Sequence, residues 1–173
     1  MIDLESIIIG SGLLLVFICP LIYIQLKQKL NIKKYTQVFL DTAQSHNLII
    51  SDFDIWNSGY GIGIDKKAGV LFYHFSKSGN EISQIIELGK VLSCKSITER
   101  KPLQGGANSS KITQSLTLFL KLSESNPDSL GLEFYNIKYH TGLYTELPLI
   151  EKWIKLINQS IVIFKNFVSN FLS

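Results

Sequence analysis

GYGIGIDKKAGVLFYHF, residues 59–75, carries the reading of the fold. Glycine alternates there with Tyr60, Ile62 and Ile64, a period of two that marks a strand. DKKAG (65–69) then offers a turn, with Gly69 suited to a left-handed position. VLFYHF (70–75) returns, so the stretch predicts a β-hairpin. Upstream, LIISDF (48–53) is a short β-branched run, followed by a loop at 54–58. Downstream, KSGN (77–80) is a second turn. Residues 82–88 and 91–98 form another strand pair, kinked at Gly89. RKPLQGGANSS (100–110) is a polar, glycine-rich loop. In the strand at 112–122, Ile112, Leu116, Leu118 and Leu120 share one face, while Thr113, Ser115, Thr117 and Lys121 share the other. SESNPDS (123–129) is a turn, 130–139 is the last strand and 141–146 is a loop.

Pro148 opens a helix, where its missing donor costs nothing. Leu149, Ile150, Trp153, Ile154, Ile157 and Ile161 follow at amphipathic spacing, with Trp153 and Ile157 as its core contacts. About seven strands and then one helix argue an α+β domain, a mainly antiparallel barrel or sandwich capped by its C-terminal helix.

Far upstream lies IIIGSGLLLVFICPLIYI (7–24), without a charge. At about 1.5 Å per residue it spans roughly 27 Å, close to the ~30 Å core of a bilayer. It is read as a transmembrane helix with Ile7, Leu14, Phe17, Pro20 and Ile24 as anchor residues. A cleaved signal peptide wants a basic n-region and a shorter apolar run, and a buried core helix wants a polar face. Asp3 and Glu5 precede the run, and Lys27, Lys29, Lys33 and Lys34 follow it. Positive residues stay on the cytoplasmic side, so the expectation is a single-pass protein of a bacterial inner membrane with its N-terminus out and its domain in the cytoplasm. The expected organisation is an extracytoplasmic tail at 1–6, the membrane helix at 7–26, a basic linker and short helix at 27–46, and the domain at 47–173.

Of 17 basic and 14 acidic residues, 13 and 12 remain once those flanks are set aside, so the domain is nearly neutral. It shows no basic face of the kind nucleic acid needs. Two cysteines, Cys19 in the apolar run and Cys94 in the domain, agree with a reducing compartment.

Seven strands closed by one C-terminal amphipathic helix with an inward tryptophan resemble the pleckstrin-homology-like (PH-like) fold of bacterial membrane-anchored proteins. Trp153, five residues after Pro148, stands where that fold places its helix tryptophan. The hairpin GIGID-KKAG-VLF and the strand pair IIELGKVLSCKSI are similar too, and the resemblance covers residues 48–160. It implies a binding or scaffolding role and no catalytic residues. Lipid-binding members cluster Lys and Arg around the first strand loops. Lys66 and Lys67 stand there, with Lys77 nearby, and arginine is missing from that set.

Other constellations read blandly. Gly59, Gly61 and Gly63 lead into a hairpin and not the strand-to-helix turn of a dinucleotide site. Their better account is a bent strand or a closely packed neighbour. His46, His74 and His140 lack metal-ligand spacing and read as strand-end or surface residues. Cys94 reads as core or half-buried. Asp52, Asp54 and Asp65 lack a calcium-loop pattern and fit turns or caps. Lys66 and Lys67 are a solvated turn or, with Lys27, Lys29, Lys33 and Lys34, a contact to anionic lipid. SIVIFKNFVSNFLS (160–173) is apolar on all sides, which makes Phe164, Phe167 and Phe171 candidates for a partner surface or for packing on the domain.

The reading is therefore a non-enzymatic scaffold, without cofactor, metal or small-molecule substrate, that presents a PH-like domain to a protein partner. The alternatives are an anionic-lipid-binding domain at a membrane surface, and a subunit of a larger membrane complex held by the membrane helix and the apolar C-terminal helix.

Overall fold

The computed structural model describes residues 4–77, 79–102, 111–122, 129–140, 142–143 and 145–171, with backbone alone at 4–15, 17, 21, 28 and 165–171. Helix α1 (Leu4–Ser45) leads into four strands, β1 (Asp52–Trp56), β2 (Tyr60–Asp65), β3 (Val70–Lys77) and β4 (Asn80–Glu87). A one-turn 3-10 helix (Leu88–Lys90) precedes β5 (Ser93–Pro102), β6 (Lys111–Lys121) and β7 (Ser129–Asn136), and α2 (Glu146–Phe171) follows. The strands form two antiparallel sheets, ordered β1-β2-β3-β4 and β5-β6-β7.

The hairpin at 59–75 pairs Tyr60 with Phe75 and Asp65 with Val70. Gly69 takes a left-handed φ of 67° in its turn, and a Cβ there would stand 2.5 Å from the Phe164 ring. The period-two pattern separates two faces. Tyr60, Ile62, Ile64, Leu71, Tyr73 and Phe75 join Leu116, Leu118, Leu120, Leu132 and Phe134 of the second sheet in the core. Ile150, Trp153, Ile157 and Ile161 of α2 complete it.

Side chains, not strand ladders, tie the second sheet's edges to the rest. The β6–β7 register pairs Leu116 with Tyr135 and Thr117 with Glu133, which leaves Phe134 in a bulge. The indole of Trp56 donates to the Phe134 carbonyl at 2.8 Å, and the Tyr73 hydroxyl donates to the Glu133 carbonyl at 2.7 Å. At the other edge, Asn158 of α2 acts as a substitute strand. Its Oδ1 accepts from the Cys94 amide and its Nδ2 donates to the Cys94 carbonyl, each at 3.1 Å.

Strand β1 begins later than the β-branched run suggests. Ile49 and Ser51 are tied to the end of β2 instead, through Asp65 and the Ile64 carbonyl. The segment expected as a loop holds most of the strand: Asp54, Ile55 and Trp56 pair with Ile62, Gly61 and Tyr60 of β2, and Asp54 accepts from the Trp153 indole at 2.8 Å.

The outer face of the first sheet is covered by α1. Phe39 and Ala43 are buried there with Phe72. The glycines make the room: a Cβ at Gly61 would meet the Phe39 ring at 2.5 Å, and one at Gly63 would meet Ile50 at 2.8 Å. The Tyr35 hydroxyl lies 2.9 Å from the Gly59 carbonyl and 3.1 Å from that of His74. The short helix expected at 35–46 is thus the docked end of a single 42-residue helix that runs through Pro20.

Among the described residues no helix is long and apolar enough to cross a membrane. This overturns the expected N-terminal transmembrane helix, and with it the single-pass inner-membrane placement. The apolar run at 7–24 lies within α1, and its described side chains, at 16, 18–20 and 22–24, are exposed. Beyond it the same helix carries Lys27, Lys29, Lys33 and Lys34 and then docks on the sheet. Of the expected anchor residues, Pro20 and Ile24 are exposed, and the side chains of Ile7, Leu14 and Phe17 lie outside the described residues.

Candidate functional site

β4 is one of the two edge strands of the first sheet, and pairing places Ile82, Gln84 and Ile86 opposite Phe75, Tyr73 and Leu71 on the inward face. β7 is one of the two edge strands of the second sheet. Between them opens a cleft of about 450 Å³, lined by Tyr73, Phe75, Ile82, Gln84, Gly131, Glu133 and Tyr139, with Gly79, Asn80 and Glu81 at the β3–β4 turn.

Two polar groups of the cleft, Glu133 and Tyr73, are held by hydrogen bonds. Glu133 accepts from the Tyr60 hydroxyl at 2.8 Å and from the Asn136 amide at 2.7 Å, one on each oxygen. Burial raises the Tyr60 and Tyr73 hydroxyls far above the usual phenol range, and the Glu133 charge adds to this. Both therefore stay protonated donors. Gln84 differs: its side-chain oxygen is buried and has no hydrogen-bond partner among the described residues.

Behind Tyr139, the Lys77 ammonium lies 3.3 Å from the Tyr139 carbonyl and 3.0 Å from His140 Nε2. Burial lowers the pKa of both, and for His140 the Lys77 charge lowers it further. On the opposite face of the sheet, His74 is fully buried, with Nδ1 2.9 Å from the Ser83 hydroxyl and Nε2 3.9 Å from a Glu81 oxygen. Burial lowers its pKa, and Glu81 offsets part of that. Among the described residues no group of three His, Cys, Asp or Glu side chains could hold a metal ion.

The structure spreads the sequence candidates apart. Lys66 is ion-paired with Asp52, while Lys67, Lys27, Lys29, Lys33 and Lys34 are exposed. His74 belongs to the α1–sheet contact and is not a surface residue, and His140 packs against the rings of Tyr60 and Tyr135. Cys94 is buried, and its thiol is pushed up to about 12 by desolvation. Trp153 and Ile157 are fully buried. Phe164 packs on the domain against Gly69, and the side chains of Phe167 and Phe171 lie outside the described residues.

The cleft itself was not among the sequence candidates. Its one sequence signal is a polar residue in an inward slot: Gln84 stands between Ile82 and Ile86. No protein-family model, no curated protein and no solved structure matches the chain.

Proposed function

We propose that this chain is a non-enzymatic binding module that presents a PH-like domain to a protein partner. One observation carries the reading: α2 has two apolar faces. Trp153, Ile157 and Ile161 fill the core, while Val162 and Ile163 remain 58% and 65% exposed. With Lys155, Asn158 and Gln159 they line a shallow depression beside β5. An apolar patch with a polar rim tends to mark a protein–protein contact. The strand order of four and three, closed by a helix with a buried tryptophan, supports the PH-like part of the reading. A photo-crosslinking residue at Val162 tests it in cells. The expected product is one reproducible adduct with a different polypeptide, absent when the same residue replaces exposed Lys121. Adducts with copies of this chain alone, or none, would refute the reading.

A second reading, contact with anionic lipid, is favoured by the exposure of Lys27, Lys29, Lys33 and Lys34 within about two turns of α1. No ion pair to them is seen among the described residues. Vesicle flotation that is indifferent to lipid charge and to salt excludes it.

A further inference from the structure

We infer that the cleft between β4 and β7 is a recognition site for an ammonium or guanidinium group carried on an apolar stem. The inference deepens the partner-binding reading and rests on it for the source of the cation, a Lys or Arg side chain of the partner.

The argument starts from what the cleft lacks. Two buried hydroxyls at its wall are already engaged: those of Tyr60 and Tyr73 both point at Glu133, on the carboxylate and on the carbonyl. Acceptor capacity beside them is open. Gln84 offers a buried oxygen without a partner among the described residues. The Glu133 carboxylate has accepted one bond on each oxygen and has room for about two more. It has no ion-pair partner among the described residues. The described lining contains no Lys or Arg, and the nearby Lys77 ammonium is held on Tyr139 and His140. The Glu81 carboxylate, at the rim, lies 3.9 Å from His74 Nε2 and adds a second negative charge near the cleft.

The walls select the rest of the ligand. Tyr73, Phe75 and Tyr139 present aromatic rings and Ile82 an alkyl surface. Aromatic faces attract cations and accommodate alkyl stems. A donor that is charged, with several N–H groups, answers Glu133 and Gln84 together, whereas a neutral alcohol answers one of them. An anion meets Glu133 as a like charge. The cleft volume of about 450 Å³ lies within the usual range for small-ligand sites, roughly 300–1,000 Å³.

The test uses the full-length chain and small probes, so that it does not depend on finding the partner. n-Pentylammonium and n-pentylguanidinium are titrated while the side-chain amide resonance of Gln84 is followed by NMR. 1-Pentanol and pentanoate serve as controls. Saturable shifts are expected with the two cations alone, weakening as salt rises. Glu133→Gln removes the charge and keeps an acceptor for Tyr60, and it is expected to weaken binding about tenfold. Gln84→Leu, read through the Gly131 and Tyr139 amides, is expected to weaken it about fivefold. Should Glu133→Gln fail to fold, Gln84→Leu and the salt series decide.

Equal binding of 1-pentanol, absence of a saturable shift with either cation, or unchanged affinity in a folded variant overturns the site. A capped peptide with one Lys that binds at least as well as n-pentylammonium assigns the cation to a protein partner. Rejection of that peptide with retained amine binding overturns the assignment to a partner and leaves a free amine as ligand. Failure of the crosslinking experiment alone removes the partner and not the site.

Discussion

The two helices dock on the same β-domain in opposite ways. α2 places Trp153 into the common core and hydrogen-bonds the indole to Asp54 of β1. It also clamps the Cys94 backbone of β5 through Asn158. α1 reaches the outer face of the first sheet with Phe39 and Ala43, on a strip that glycines keep low. One helix completes the core, and the other is laid over a finished sheet. The contrast teaches that burial alone does not rank the two aromatics. Phe39 and Trp153 are both fully buried, yet the first belongs to a small satellite cluster and the second to the main core.

The contrast breaks most visibly at its strong end. Trp153→Ala deletes a fully buried indole and leaves the Asp54 carboxylate with one partner fewer. A loss of about 4 kcal/mol in global unfolding free energy is expected. Denaturant titration followed by near-ultraviolet circular dichroism measures it. A loss below about 1 kcal/mol would mean that α2 is not part of the core's cooperative unit.

Phe39→Ala is expected to remove about 3 kcal/mol, but from local docking. α1 should then detach while the sheets remain folded, because the main core keeps all its side chains. Gly61→Val should act the same way from the other side of the contact, since its Cβ would meet the Phe39 ring at 2.5 Å. Limited proteolysis between α1 and β1 should accelerate in both variants, with the denaturation midpoint of the sheets nearly unchanged. A matching fall in that midpoint would show that α1 and the core unfold as one.

Much of this contrast was legible from residues alone, in proportion to how local the signals were. The hairpin at 59–75 was readable because a period of two, a turn and a left-handed glycine lie within one stretch. The buried face of α2 was readable because 3.6-residue spacing needs no tertiary information. The alternating glycines told of a close neighbour but not of which one, since Phe39 lies some twenty residues away. β1 was misread because Asp54 looks like a loop former until Trp153 is placed beside it. The apolar run was read as a membrane helix by its length, and among the described residues no such helix stands. The cleft was invisible for a related reason. It depends on a bulge at Phe134 and on bonds from Trp56 and Tyr73 to carbonyls of β7, which join distant parts of the chain.

A smaller effect sharpens how α1 is tethered. Asp65 is buried, and its carboxylate accepts from the Ile49 amide on one oxygen and from the Lys67 and Ala68 amides on the other. The Ala68 bond is the main cause holding its pKa below the usual carboxylate range, with Ile49 and Lys67 adding to it against the opposing effect of burial. A carboxyl with a folded pKa below its unfolded value of about 3.9 stabilises the fold above that value. That contribution is lost as pH falls through the folded pKa. Asp65→Asn keeps an acceptor for the turn but sets an amide donor against the Ile49 amide. It should cost about 2 kcal/mol at neutral pH and flatten the decline of stability below about pH 4. An acid limb of unchanged steepness in the variant would assign that decline to other carboxylates.

The finest probe is Asn158, which does with one side chain what a neighbouring strand would do for β5. Replacing it by Ala leaves the Cys94 amide and carbonyl without their partners at a position that is almost fully buried. The expected cost is about 1 kcal/mol, since each bond is neutral. Global stability is too blunt a measure for that, and amide hydrogen exchange at Cys94 is the direct one. Exchange there should speed about fivefold to tenfold, while the amides of β6, held within the second sheet, stay protected. If Cys94 and β6 accelerate together, Asn158 supports the whole of α2 and not the strand edge alone. The polar clamp would then belong with Trp153 as part of the core, and the division between a helix that completes the fold and one that rests on it would widen.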